Sequence, residues 1–191
     1  MKKSTCFVVM LGFLAGNACA QGLEFKGLQL GEITTSSQVE TQLKSDEALK
    51  ICGQSEGQCA DSVNVSCGAG NDGIQVCNGK TTITGSQTDV NVVIGADGRL
   101  QRIFLTFSND SYDEVHDALL QKYGKPSSVK KYRVQNGFGA QFVQVDTIWR
   151  RAGGLKLRLS RYGASTDDSV VYFSTKADDE MWKHLGDSND L

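Results

Sequence analysis

Hydrophobic positions recur at two intervals along the chain, and the switches between them mark its elements. Leu23, Phe25, Leu28 and Leu30 read as a short strand ending at Gly31. Ser37 and Glu40 then stand in the spacing of a capping box, whose side chains satisfy backbone donors left over at a helix start. Val39 and Leu43 fall on one face behind it, and the pattern predicts a helix over 37–50, with Leu49 or Ile51 extending its apolar side. Farther on, the stretches 81–84 and 90–94 read as strands. Asp97-Gly98 predicts a hairpin into 99–107, because both residues tolerate positive φ. Leu100, Ile103, Leu105 and Phe107 cannot share one face at a period of two. Either a bulge near Arg102 or burial of both faces over 103–105 is required.

The strongest helical stripe is Tyr112, Val115, Ala118, Leu119 and Tyr123, preceded by Ser111 and Glu114 in capping-box spacing and stopped by Gly124 and Pro126. Three strands are predicted after it, over 142–149, 155–159 and 169–175. A turn at Ala152-Gly153-Gly154 pairs Trp149 with Leu157, Thr147 with Leu159 and Arg150 with Lys156. Val143, Val145, Thr147, Trp149, Leu155, Leu157 and Leu159 then share one face, which the helix from Ser111 to Tyr123 is available to cover. The polar tail 177–191 is expected to form one loose turn around Met181, Trp182 and Leu185 and then fray.

This order of elements gives an α+β fold of two tandem modules, 21–107 and 108–176, each a helix packed on an antiparallel sheet. Residues 1–20 read as a signal peptide: Lys2 and Lys3, an apolar run over 6–14, and then Ala18-Cys19-Ala20 as small residues at the cleavage site. Gly16, Asn17 and Ala18 precede Cys19 without the leucine of a lipid-attachment site. The expected destination is periplasmic or extracellular. No apolar run reaches the roughly 18 to 20 residues needed to cross a bilayer.

Charge and cysteine content narrow the picture. The chain carries 20 basic and 22 acidic side chains. Without residues 1–20 it keeps 18 basic against 22 acidic groups, a net charge of −4. That balance offers no overall field for nucleic acid. Of six cysteines, Cys6 and Cys19 belong to the leader, leaving Cys52, Cys59, Cys67 and Cys77 for an oxidising compartment. Two disulfides are expected. The alternating stretches 63–67 and 74–77 look like hairpin arms and favour Cys67 with Cys77 and Cys52 with Cys59, while the crossed connectivities stay open.

Candidate chemistry is sparse. The cysteines lack C-x-x-C spacing, and neither His116 nor His184 stands near them, so no metal site is expected. No nucleophile elbow, zinc-protease, phosphate-loop or EF-hand motif occurs. Asp167-Asp168 and Asp178-Asp179-Glu180 read as solvated loop carboxylates, and His116 as a solvated helix residue. No catalytic residue and no cofactor are assigned. Basic residues concentrate instead between Lys125 and Arg161. By alternation Lys156, Arg158 and Tyr162 emerge opposite the leucines of their strand, with Arg150 across from Lys156. Arg150, Lys156, Arg158 and Tyr162 are therefore the candidate partner-binding residues, and another protein with an acidic surface is the expected partner.

Leu30-Gly31 followed by Val39 and Leu43, then Val115, Leu119, Gly124 and Pro126 with Trp149 downstream, resemble the tandem helix-plus-sheet folds of two exported families. These are the small lipoprotein of the outer-membrane β-barrel assembly machine and the β-lactamase-inhibitory protein. The resemblance covers about two thirds of the chain after residue 20 and implies the fold and a protein-binding sheet, without any functional residue. The missing lipid-attachment cysteine departs from the first family. The expected function is that of a non-enzymatic exported binding protein: an inhibitor, an immunity factor or an envelope accessory. The alternative is an envelope hydrolase working through carboxylates. A shallow sheet surface would favour binding, and a pocket with two buried carboxylates would favour hydrolysis.

Overall fold

The computed structural model describes residues 22–44 and 65–187. A two-stranded hairpin, β1 (Glu24–Phe25) and β2 (Leu28–Gln29), leads into helix α1 (Ser36–Leu43). A meander of four strands follows: β3 (Val65–Ala69), β4 (Gln75–Ile83), β5 (Ser86–Ile94) and β6 (Leu100–Ser108). Helix α2 (Tyr112–Tyr123) then precedes a second meander, β7 (Ser128–Gln135), β8 (Gln141–Arg150), β9 (Lys156–Ser160) and β10 (Asp168–Ser174), and the chain closes with helix α3 (Lys176–Asp187).

The strands of both meanders join in one antiparallel sheet of order β3-β4-β5-β6-β10-β9-β8-β7. The last strand of each meander meets the other in the centre, with Leu105 opposite Val171 and Ile103 opposite Phe173. The fold is α+β, and the two halves share one core. Val39 and Leu43 of α1 and Val115, Leu119 and Tyr123 of α2 bury against the same face of the sheet, in one cluster with Leu105, Trp149, Leu157 and Phe173. The amino-terminal hairpin closes that cluster. Phe25 sits 6.0 Å from the Phe173 ring, and the Tyr123 phenol donates to the Glu24 carbonyl.

The registers expected from the turn at 152–154 are present: Trp149 faces Leu157, Thr147 faces Leu159 and Arg150 faces Lys156. The Asp97-Gly98 hairpin is present too, with the Asp97 carboxylate accepting from the Arg99 amide at 3.1 Å. A bulge falls next to Arg102. Val93 pairs with Arg102 and Ile94 with Leu100, so Gln101 is the extra residue. The added residue lets Leu100, Ile103, Leu105 and Phe107 all bury on one side. Cys67 and Cys77 are directly opposed on β3 and β4 and form a disulfide. Cys52, Cys59, residues 1–20 and the stretch 45–50 of the predicted helix lie outside the described residues.

Several expectations are corrected. Helix α1 is capped two residues earlier than predicted: Thr35 Oγ1 accepts from the Gln38 amide at 3.2 Å, and Gln38 Oε1 accepts from the Thr35 amide at 2.9 Å. Its last helical residue is Leu43. Ser111 makes no cap of α2, because its hydroxyl is engaged with Ser86 Oγ at 2.7 Å. At the other end Gly124, at φ 71°, turns the chain where a side chain would be strained, and its carbonyl accepts from the Trp149 indole at 2.8 Å.

The predicted strands 81–84 and 90–94 are parts of the longer β4 and β5, joined by a two-residue turn whose Thr84 and Gly85 both have positive φ, 48° and 82°. Strand β7 was not predicted at all, since it is an edge strand exposed along most of its length and carries no alternation to detect. Val143 escapes the cover of α2 and is 53% exposed, because the β7–β8 ribbon runs past the helix. The largest departure is the tail. In place of one loose turn it forms α3, whose Asp178 is buried.

Candidate functional site

The helices α1 and α2 cover one face of the sheet, and the opposite face carries the predicted cationic residues. Side chains alternate across a strand. Leu157 and Leu159 are fully buried under the helices, so Lys156, Arg158 and Ser160 point to the other side. Pairing then builds rows across the sheet. One row runs from Asn91 on β5 through Phe104, Tyr172 and Arg158 to Ile148 on β8.

The middle of this row is an aromatic and cationic stack. The Phe104 and Tyr172 rings meet edge to face at 5.9 Å. The Arg158 guanidinium lies 5.6 Å from the centre of the Tyr172 ring, and Lys156 Nζ lies 5.8 Å from it. Such cation–ring contacts favour a flat, weakly hydrated guanidinium on an aromatic face. Arg158 Nε is buried without a hydrogen-bond partner.

The first turn of α3 packs against one end of this row. Arg102 grips Asp178 through Nη2 at 2.6 Å and Nε at 3.0 Å, and the Tyr172 phenol donates to the same carboxylate. Lys156 pairs with Asp179, which also accepts from Ser174 at 3.1 Å. Burial, followed by the Asp178 carboxylate, holds the Tyr172 phenol well above the usual tyrosine range, so it stays a donor. Asp178 and Asp179, expected as solvated loop residues, are thus helix residues clamped to the sheet.

A cavity of about 550 Å³ opens between this clamp and the row, lined by Asn91, Phe104, Tyr172, Arg158 and Lys156. A second hollow of about 290 Å³ shares Phe104 and Arg158 with it and continues toward Tyr132, Asp146 and Tyr162. Together they form a continuous trough across the sheet through Phe104 and Arg158. At its far end the Tyr132 hydroxyl donates to Asp146 at 3.1 Å. Burial and the neighbouring Asp146 charge raise the Tyr132 phenol above its ordinary value.

The four predicted binding residues are therefore not equivalent. Arg158 is central. Tyr162 borders the second hollow, its ring 5.6 Å from that of Phe142. Lys156 is on the predicted face but spent on Asp179, its side chain only 15% exposed. Arg150 is exposed beyond Lys156 and lines neither hollow. Phe104, Tyr172 and Asp146 were missed. Phe104 and Tyr172 stand out of phase between core pairs, Ile103 with Leu105 and Val171 with Phe173, and a continuous apolar run hides such a residue. His116, expected in solvent, is half-buried and stacks on Tyr112 at 6.1 Å.

Among the described residues no three histidine, cysteine or carboxylate side chains come together as metal ligands, and no helix is long and apolar enough to cross a membrane. Comparison of the chain with family models, characterised proteins and solved structures finds no match.

Proposed function

We propose that the protein is a non-enzymatic exported binding module, of the inhibitor, immunity-factor or envelope-accessory kind, that holds an acidic protein partner in the trough. The observation that carries this reading is the Arg158 guanidinium stacked on Tyr172 beside Phe104. Arginine and aromatic side chains packed together in a partly desolvated pocket are what interface hot spots are made of. A carboxylate entering the trough would find in Arg158 a cation whose Nε lacks a partner.

The carboxylates on this face support binding over hydrolysis. Asp178 is tied to Arg102 and Tyr172, and Asp179 to Lys156. Asp146 sits across the Arg158–Tyr172 row from both, toward Tyr132. Export by residues 1–20 and a doubled origin for the two helix-and-meander halves belong to the same proposal.

The test is affinity capture from an envelope extract with the immobilised protein, followed by identification of the bound chains. Arg158→Gln should weaken capture of the main acidic protein at least tenfold, and Arg150→Glu should change it little. Equal capture by the Arg158 variant would remove the trough from consideration.

A further inference from the structure

The β7–β8 hairpin carries a second surface, which shares Tyr132 with the trough. The exposed large hydrophobic side chains among the described residues are Ile33, Val129, Tyr132, Phe138, Val143 and Met181, and four of these six belong to this one hairpin. Phe138 is 99% exposed at its tip. The tip is built to hold it there. Asn136 Oδ1 accepts from the amides of Phe138 and Ala140 at 3.1 and 3.0 Å, the Asn136 amide donates to the Ala140 carbonyl at 3.0 Å, and Gln135 Nε2 donates to the Gly139 carbonyl at 3.1 Å. A loop so tied presents its aromatic ring at little further entropic cost.

Charge follows the same hairpin. Lys130, Lys131 and Arg133 lie on β7, and the one acidic residue of the ribbon, Asp146, stands opposite Lys130, in a chain of net charge −2. These groups do not form one flat patch. Lys131 and Arg133 pair with Val145 and Val143 on the helix side of the ribbon, while Lys130 and Tyr132 lie on the other side. Exposed apolar groups also occupy both sides, Val129 and Val143 on one and Tyr132 on the other. Cations and apolar side chains distributed around a projecting ribbon suit end-on contact with a plane, whereas a protein docked face-on would use one side only. A second copy of β7 would set like charges against each other. Lysines on an edge strand do discourage sheet-to-sheet pairing, but that role needs no exposed phenylalanine at the tip.

We propose that the β7–β8 hairpin docks end-on to anionic lipid surfaces, with Phe138 entering the boundary between headgroups and acyl chains, Arg133 meeting the lipid phosphates and Lys131 acting on the surface charge from behind it. The distances allow it. At roughly 3.3 Å per residue, Arg133 stands about 7 Å behind the last paired residue, Gln135, which its side chain spans, and Lys131, about 13 Å behind, comes with its side chain within about a Debye length of the surface charge. Each cation near an anionic surface strengthens binding about fivefold, and burying an aromatic ring about tenfold or more.

The test is co-sedimentation of the full chain with vesicles of phosphatidylcholine alone and with vesicles containing phosphatidylglycerol. Wild type and hairpin variants are compared throughout, so that any affinity contributed by the apolar residues 6–14 cancels. The expected result is at least tenfold tighter binding to the anionic vesicles, weakened by salt. Phe138→Ser should lower it about tenfold, and Lys131→Gln and Arg133→Gln about fivefold each, with thermal midpoints unchanged. A Phe138→Trp variant should gain a blue-shifted emission, relative to wild type, on those vesicles alone. Phe138→Ser binding like wild type, or equal binding to neutral and anionic vesicles, would overturn the proposal. So would loss of an acidic protein partner, but not of vesicles, in the Phe138 variant, which would give the hairpin to a protein interface.

Discussion

Arg102 and Asp178 lie 76 residues apart in the chain and share three hydrogen bonds, at 2.6, 3.0 and 3.2 Å, on side chains that are 11% and 0% exposed. The pair fixes the carboxy-terminal helix to the sheet face that α1 and α2 leave uncovered. Removing one member of a buried pair costs about 3 to 5 kcal/mol. Asp178→Ala should therefore lower the denaturant midpoint by a corresponding amount and speed amide exchange in the first turn of α3. A change below about 1 kcal/mol would mean that α3 is not held by this contact.

Trp149 joins the two covered layers by another route. It is fully buried in the core, and its indole N–H donates to the carbonyl of Gly124 at the end of α2. Trp149→Phe keeps most of the packing but removes that hydrogen bond, at a cost of about 0.5 to 1.5 kcal/mol. Trp149→Ala adds a cavity and should cost about 3 to 5 kcal/mol. Equal losses in the two variants, measured by urea unfolding, would assign the effect to the lost hydrogen bond and not to volume.

The Cys67–Cys77 disulfide closes a hairpin at the sheet edge. The same edge holds α1, because the Cys67 amide donates to Glu40 Oε1 at 3.1 Å. Closing a loop of this length stabilises by roughly 3 kcal/mol in the chain-entropy account. A Cys67→Ser, Cys77→Ser double variant should melt lower, with exchange rising first in β3 and α1. Uniform loss of protection across the whole sheet would contradict this local role.

Alkaline pH should weaken the fold through Tyr123. Burial pushes its phenol up to about 12 from an ordinary value of 10.0. A group whose folded pKa is raised contributes stability that is complete below the unfolded value and lost as pH climbs through the folded one. The contribution of Tyr123 is thus intact up to about pH 10 and disappears by about pH 12. Tyr123→Phe should be less stable than wild type near neutral pH, since the Glu24 carbonyl keeps Lys122 as a donor but loses the phenol, yet decline less steeply over that alkaline window. Parallel decline of the two proteins in urea titrations would remove Tyr123 as the cause.

Which parts of this fold were legible follows from where the side chains point. The α2 stripe, the Trp149–Leu157 register and the bulge beside Arg102 could be read because each has one buried face, and a one-residue slip would expose it. The strand β7 offers no such contrast. Thr84-Gly85 gave no turn signal because threonine seldom adopts positive φ. In the trough, Arg158 was visible as a cation opposite leucines, but its aromatic neighbours were absorbed into apolar runs. Asp178 was unreadable for another reason: its partners Arg102 and Tyr172 come from strands elsewhere in the chain, and only the assembled sheet shows that the acidic tail has somewhere to dock.

The same docking separates two lysine and arginine positions that alternation treats alike. Arg150 and Lys156 are directly opposed across β8 and β9, so both face away from α1 and α2. Lys156 is 15% exposed and ion-paired with Asp179, whereas Arg150 is exposed. Arg150→Glu should therefore shift stability by no more than about 0.5 kcal/mol, the usual range for an exposed substitution. Lys156→Glu places a carboxylate against Asp179 with Asp178 beside it, and like charges held together in a partly buried site repel strongly. A loss of at least about 2 kcal/mol is expected. Lys156→Met, which keeps the apolar stem over Tyr172 without the charge, should cost less than Lys156→Glu. Equal, small effects at both positions in denaturant titrations would show that the first turn of α3 stands off the sheet in solution, and the trough would then extend as an open surface across Lys156 as well.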